Sequence, residues 1–208
     1  MFYKLINFVQ GFYYSVKSLI IVFYLKLIGV KVDFTFFCKN FPYLNINGET
    51  KNIEIKKNVK FLGTVDLRNR EDGKIIFNNN VKIEGDTRFV SAREGTIEIK
   101  DNSIVAKGTI INGGGNVIIG KNCIIGPYNV INANDHKIDK KLKIIDRKFL
   151  LGDVIIEEDS WTAAFVSIKK NVTISEGSII GAHSFVASNT LKNSINYGIP
   201  ARHIKYRD

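Results

Sequence analysis

Stepping along the chain six residues at a time from Val32 lands again and again on a large apolar side chain, and no other feature of the sequence restricts the fold as tightly. The marked positions fall into triplets: Val32, Cys38 and Leu44; Ile55, Phe61 and Leu67; Phe77, Ile83 and Phe89; Ile99, Val105 and Ile111; Ile119, Ile125 and Ile131; Ile156, Thr162 and Ile168; Ile174, Ile180 and Val186. Of these 21 positions 19 are Leu, Ile, Val or Phe, in a chain only 45% hydrophobic by a broader definition. Four residues after most of them stands a small or β-branched side chain, as at Val59, Thr87, Ser103, Cys123, Ser160 and Ser184. A period of six matches neither the 3.6 of a helix nor a two-residue alternation. It fits short strands wound round a triangular prism, one hexad to a face and three to a coil, with the apolar residue inside and the small one near the corner. Gly120, Gly126 and Gly181, each directly after a marked residue, are expected at tight corners where backbone freedom helps.

The repeat spans residues 31–190 and leaves two flanking segments, 1–30 and 191–208. At 208 residues, 24% of them charged, the chain suits one domain with an appendage and a substantial core, which excludes wholesale disorder. The first 32 residues contain no Asp or Glu, but Lys4, Lys17, Lys26 and Lys31 interrupt their apolar run. The uncharged stretch from Leu5 to Val16 is shorter than the roughly 20 residues a bilayer-spanning helix needs. No small-residue cleavage site follows, so a signal peptide fits poorly. The segment reads as an α-helix, with Gly11 as a point where it can kink and Gly29 ending it. Apolar on nearly every side, it must be covered by a membrane interface, a neighbouring subunit or the domain itself.

One interval between triplets far exceeds the others. From Ile131 to Ile156 the interval is 25 residues, 19 more than the repeat requires, so a loop of about 134–153 projects from the prism with His136 at its base. Long insertions on a rigid scaffold are often functional. A neutral imidazole in such a loop is suited to act as a general base on a substrate hydroxyl. Asp135 and Asp139 flank it in "NDHKID"; either orients the imidazole or is a solvated loop charge.

The hexads resemble those of the hexapeptide-repeat acyltransferases, whose fold is a left-handed parallel β-helix. The likeness is greatest where "DSWTAAFVSIKKNVTISEGSIIGAHSFV" precedes "YGIPARHIK", a Trp-containing hexad, a Gly-Ala-x-Ser hexad and a Gly-x-Pro-Ala segment before a basic tail. With the loop His, this ending resembles the O-acetyltransferases of sugars and surface polysaccharides. The resemblance implies an all-β chain of about seven three-hexad coils with an α-helical leader and an inserted loop. It implies acetyl-CoA as donor, a saccharide as acceptor, His136 as base, and a homotrimer with each site between two prisms. It also implies that Trp161, Ala163, Ala164 and Ala182 border the coenzyme and that Arg202, Lys205 and Arg207 meet its phosphates. Each has a plainer reading: Trp161 packing under the loop, small residues that any β-helix wants at corners, and a generic basic terminus. His183 replaces the usual Gly of that hexad, Ala187 and Ser188 stand where many members carry Thr-Lys, and Ala106 occupies the place of an Asn some members use.

The formal charge of +10 favours an acidic partner: a phosphate-bearing cofactor, an anionic membrane surface or nucleic acid. No Gly-rich phosphate loop or helix-turn-helix supports the last. His136, His183 and His203 lack the close pair of a zinc site, so no metal is expected. Cys38 and Cys123 form no disulfide framework, which fits a reducing, cytoplasmic setting. An N-acetyltransferase of an amino sugar, and a non-catalytic assembly or membrane-docking module, remain the alternatives to O-acetyl transfer.

Overall fold

The computed structural model describes residues 2–138 and 140–208, with side chains from residue 6 onward. Three parallel sheets form the faces of a left-handed prism of about seven coils. The first face contains seven strands, the second nine and the third seven. Register follows the columns of the sequence. On the first face Val32 pairs with Ile55, Ile55 with Phe77, Ile99 with Phe77 and with Ile119, and Ile156 with Ile119 and with Ile174. The Cys38-to-Ile180 and Leu44-to-Val186 columns do the same on the other two faces. Every marked residue but the partly buried Leu44 is buried. In the first coils the interior is aromatic: Phe36, Phe61, Phe77 and Phe89 meet edge to face with ring centroids 4.9, 5.2 and 5.0 Å apart.

The small residues at the corners hold the coils together. Ser103 Oγ donates to the Gly120 carbonyl at 2.7 Å and accepts the Cys123 N–H at 3.0 Å, so groups that would be stranded in the core find partners. Gly120 and Gly126 owe their place to proximity, which corrects the expectation of backbone freedom. A Cβ on Gly120 would lie 2.6 Å from the Glu158 nitrogen of the next coil, and one on Gly126 2.5 Å from the Ala163 oxygen. Left-handed backbone falls instead three residues after the marked ones. Asn58, Asn80, Asn102 and Asn122 adopt it and chain their side-chain amides at 3.2, 3.0 and 3.2 Å along one corner.

Helix α1 (Phe2–Leu27) runs through Gly11 without interruption. Gly29, at φ 90°, ends it: its N–H reaches the Lys26 carbonyl and the Val30 N–H that of Leu25. Its second half covers the open end of the prism. Ser18 Oγ donates to the Phe36 carbonyl at 3.0 Å and accepts the Cys38 N–H at 2.9 Å, while Ile21, Val22 and Leu25 enter the core. At the other end the segment 191–208, expected as a tail, is folded. Ser194–Gly198 extends the second face, and Ala201–Tyr206 returns antiparallel along it.

Candidate functional site

The chain leaves the prism where the third face meets the first. Asn134–His136 and Phe149–Leu151 pair antiparallel, His136 opposite Phe149, and the Lys137 N–H continues the ribbon to the Lys148 carbonyl at 2.9 Å. Room for this arm comes from "GGG" at 113–115. A Cβ on Gly114 would meet Leu151 at 3.2 Å and Asn134 at 3.3 Å, and one on Gly115 the Gly152 backbone at 2.7 Å. That run is the signal for the base of the arm that the hexad pattern alone overlooks. Asn134 Nδ2 fastens it to the Gly113 carbonyl at 2.9 Å.

His136 is exposed, its ring centroid 4.5 Å from that of Phe149, and the Arg93 guanidinium lies 5.8 Å from the same Phe149 ring. The Asp135 carboxylate accepts the backbone N–H of His136 at 2.8 Å and so fixes the main chain beside the imidazole. Asp139 lies outside the described residues. Two hollows flank the base of the arm. One, about 270 Å³, is bordered by Arg70, Glu71, Arg93, Asn112, Asn134 and Phe149; the other, about 640 Å³, by Arg93, Glu94, Asn116, Leu151, Asp153 and Asn171. Guanidinium, carboxylate and amide groups around an aromatic ring can hydrogen-bond a polyhydroxylated molecule while its apolar face lies on the ring.

The remaining candidates occupy other edges. Trp161 lies on the second face between Ile124 and Ile179, 46% exposed, beside a hollow of about 170 Å³ that Asn122, Asp159 and Arg207 also border. Ala163, Ala164 and Ala182 follow at the corner between the second and third faces, so in one chain they stand on a different edge from His136. Arg202 and Lys205 are exposed on the returning strand, Lys205 3.8 Å from Asp208. Arg207 is tied to Asp159 at 2.8 Å and the Gly177 carbonyl at 2.9 Å. The same second-to-third corner carries a feature sequence reading overlooked. Tyr128, Phe165 and His183, all in the left-handed region, stack in parallel with centroids 5.2 and 4.9 Å apart. Each stands three residues after a marked position, which is the signal that would have found it. Among the described residues no group of three or more His, Cys, Asp or Glu is placed to hold a metal ion.

No protein-family model matches the chain. Over 124 residues, 59% of this chain and 41% of the relative, it is 29% identical to a probable acetyltransferase of Mycobacterium tuberculosis. Over 89 residues, 43% of each chain, it is 29% identical to the galactoside O-acetyltransferase of Escherichia coli. The chain thus spans about two fifths of the length of these curated relatives. Among solved structures, AntD, an N-acyltransferase from Bacillus cereus crystallised as a variant with dTDP-4-amino-4,6-dideoxyglucose and coenzyme A, shares the fold with a TM-score of 0.59 over 88% of either chain at 21% identity. In sequence and architecture the chain resembles the hexapeptide-repeat β-helix acyltransferases.

Proposed function

We propose that this protein transfers the acetyl group of acetyl-CoA to a hydroxyl of a saccharide, in the cytoplasmic synthesis of a capsule, lipopolysaccharide or other surface polysaccharide, and that it works as a homotrimer. The observation that carries the reading is His136, exposed on an arm that leaves the prism and packed against Phe149, which borders a hollow also lined by Arg and Asn side chains. In the proposed reaction the imidazole takes the proton of the acceptor hydroxyl as its oxygen attacks the thioester carbonyl carbon. The tetrahedral adduct collapses with cleavage of the carbon–sulfur bond, and the leaving thiolate takes the proton back from the imidazolium. Such base catalysis supplies about 10²–10⁴-fold, and alignment of the two substrates supplies the rest.

The small residues Ala163, Ala164 and Ala182 leave a shallow edge suited to a pantetheine arm, with Trp161 on the adjoining face and Arg202 and Lys205 nearby for phosphates. Because that edge is not the one bearing His136, a complete site takes the imidazole from one chain and the coenzyme edge from another. The apolar side chains of the arm support this: Ile138, Ile144 and Ile145 are 90%, 67% and 86% exposed in the single chain, a surface suited to burial on a neighbouring prism.

The test is thiol release from acetyl-CoA against free, nucleotide-linked and lipid-linked saccharides, with mass spectrometry of each product. An acetyl ester on a sugar is the expected result. An amide on an amino sugar would replace the acceptor assignment with the N-acetyl alternative, and indifference to coenzyme A at millimolar concentration would leave a non-catalytic module.

A further inference from the structure

We infer that helix α1 is a docking surface for the face of an anionic lipid bilayer and lies in its plane, a role separate from acyl transfer. A helix packed on a domain ordinarily turns polar residues outward. Here Ser18, Ile21, Val22 and Leu25 face the first coil, and the opposite side of the helix is apolar as well. Phe12, Val16, Leu19, Ile20, Phe23 and Leu27 recur at the spacing of one helical stripe and are 66%, 45%, 49%, 57%, 56% and 86% exposed. The stripe continues onto the first coil, where Phe34, 60% exposed, meets Phe23 with centroids 5.9 Å apart.

Charge identifies what covers this face. Lys17 and Lys26 emerge on its two sides, helix α1 has no Asp or Glu, and the first carboxylate in the chain is Asp33. Lys26 lies with its ammonium 4.3 Å from the Phe34 ring centroid. An apolar stripe between lysines suits a surface of acyl chains beneath phosphate headgroups, into which rings and aliphatic groups sink while the ammonium groups reach the phosphates. A second copy of the same stripe would set lysines against lysines. A spanning orientation is opposed by the packing, although the helix is long and apolar enough for one, because its second half is fastened to the prism through Ser18, Ile21, Val22 and Leu25. Bound in this way, the prism stands with its first coil at the membrane.

The experiment is sedimentation of the full chain with vesicles of phosphatidylcholine and phosphatidylglycerol in equal parts, and with phosphatidylcholine alone. Binding to the anionic vesicles is expected to exceed the neutral case by about tenfold or more and to fall sharply in 1 M salt, where the screening length is only about 3 Å. The double variant Leu19→Glu/Phe23→Glu, whose positions lie outside the core, should stay in the supernatant with its melting temperature and oligomeric state unchanged. Release of the parent chain from vesicles by alkaline carbonate is expected for in-plane docking, and retention would overturn that orientation. The proposal fails if the variant binds as the parent does, if the parent ignores anionic vesicles, or if light scattering shows the variant dissociating, which would assign the stripe to a second copy. None of these readouts depends on acetyl transfer, so failure here leaves the enzymatic reading standing.

Discussion

Ile119 and Ile156, neighbours across the first face, are wholly buried, whereas Ile138 and Ile145, on the arm that leaves the prism between them, are 90% and 86% exposed. The coils are self-sufficient: each strand of the inner coils pairs with the coil above and below, each inward side chain meets others, and corner hydroxyls complete the hydrogen bonds. The arm has a ribbon of three paired positions, and among its described residues, 134–138 and 140–153, no side chain is buried. A region built so lightly contributes little to the stability of the prism, and its sequence is free to serve a site or a neighbouring chain.

That contrast makes its sharpest prediction at His136. His136→Ala should lower turnover by about 10²–10⁴-fold while the melting temperature and coenzyme A binding stay where they were. His183→Ala, which removes the last ring of the Tyr128–Phe165 stack, should cost far less turnover. Near-normal kinetics for the His136 variant, or a collapse of folding with it, would erase the division between scaffold and arm.

The converse is Phe77→Ala. Phe77 is fully buried between Phe61 and Phe89, and its truncation should cost about 3–5 kcal/mol of unfolding free energy. Chemical denaturation measures it. A small loss there would mean the aromatic interior of the early coils repacks as loosely as the arm.

How much of this was legible beforehand follows from the same division. The three columns drawn from Val32, Cys38 and Leu44 are the observed registers, because a one-residue slip would turn every inward side chain outward. The arm was legible only as an interruption. Nothing repeats within it, so neither its pairing of His136 with Phe149 nor the nearby Arg93 follows from a pattern. The stack of Tyr128, Phe165 and His183 escaped for another reason. Its hexad position holds asparagines along the neighbouring corner, so what recurs is a backbone conformation and not a side-chain type.

A smaller effect tests how dry the coil interior is. Burial pushes the Cys38 thiol up to about 12 and the Cys123 thiol up to about 11, from an ordinary value of 9.0. The folded chain therefore keeps two protons that the unfolded chain loses above pH 9, so stability is full below pH 9 and declines as the pH rises toward 11. At one pH unit above the ordinary value each thiol accounts for about 1.4 kcal/mol. Cys38→Ala/Cys123→Ala should flatten that decline, as measured by denaturation across alkaline pH. An equally steep decline in the variant would place its cause in other groups.

The smallest expected effect lies on the coil surface, at Asn102. Its backbone is left-handed at φ 64°, its carbonyl oxygen accepts from Asn80 at 3.0 Å, and its amide donates to Asn122 at 3.2 Å. Asn102→Ala loses both exposed hydrogen bonds and puts a Cβ without a compensating polar group into a left-handed turn, at a cost of about 1–2 kcal/mol. Asn102→Gly loses the same hydrogen bonds but relieves the backbone, and should cost less than the alanine variant. The gap between the parent and the glycine variant measures the amide ladder, and the gap between glycine and alanine measures the turn. If glycine is no better than alanine, the left-handed backbone costs an ordinary residue little, and the loss both variants share belongs to the side chains that link the corners of the prism.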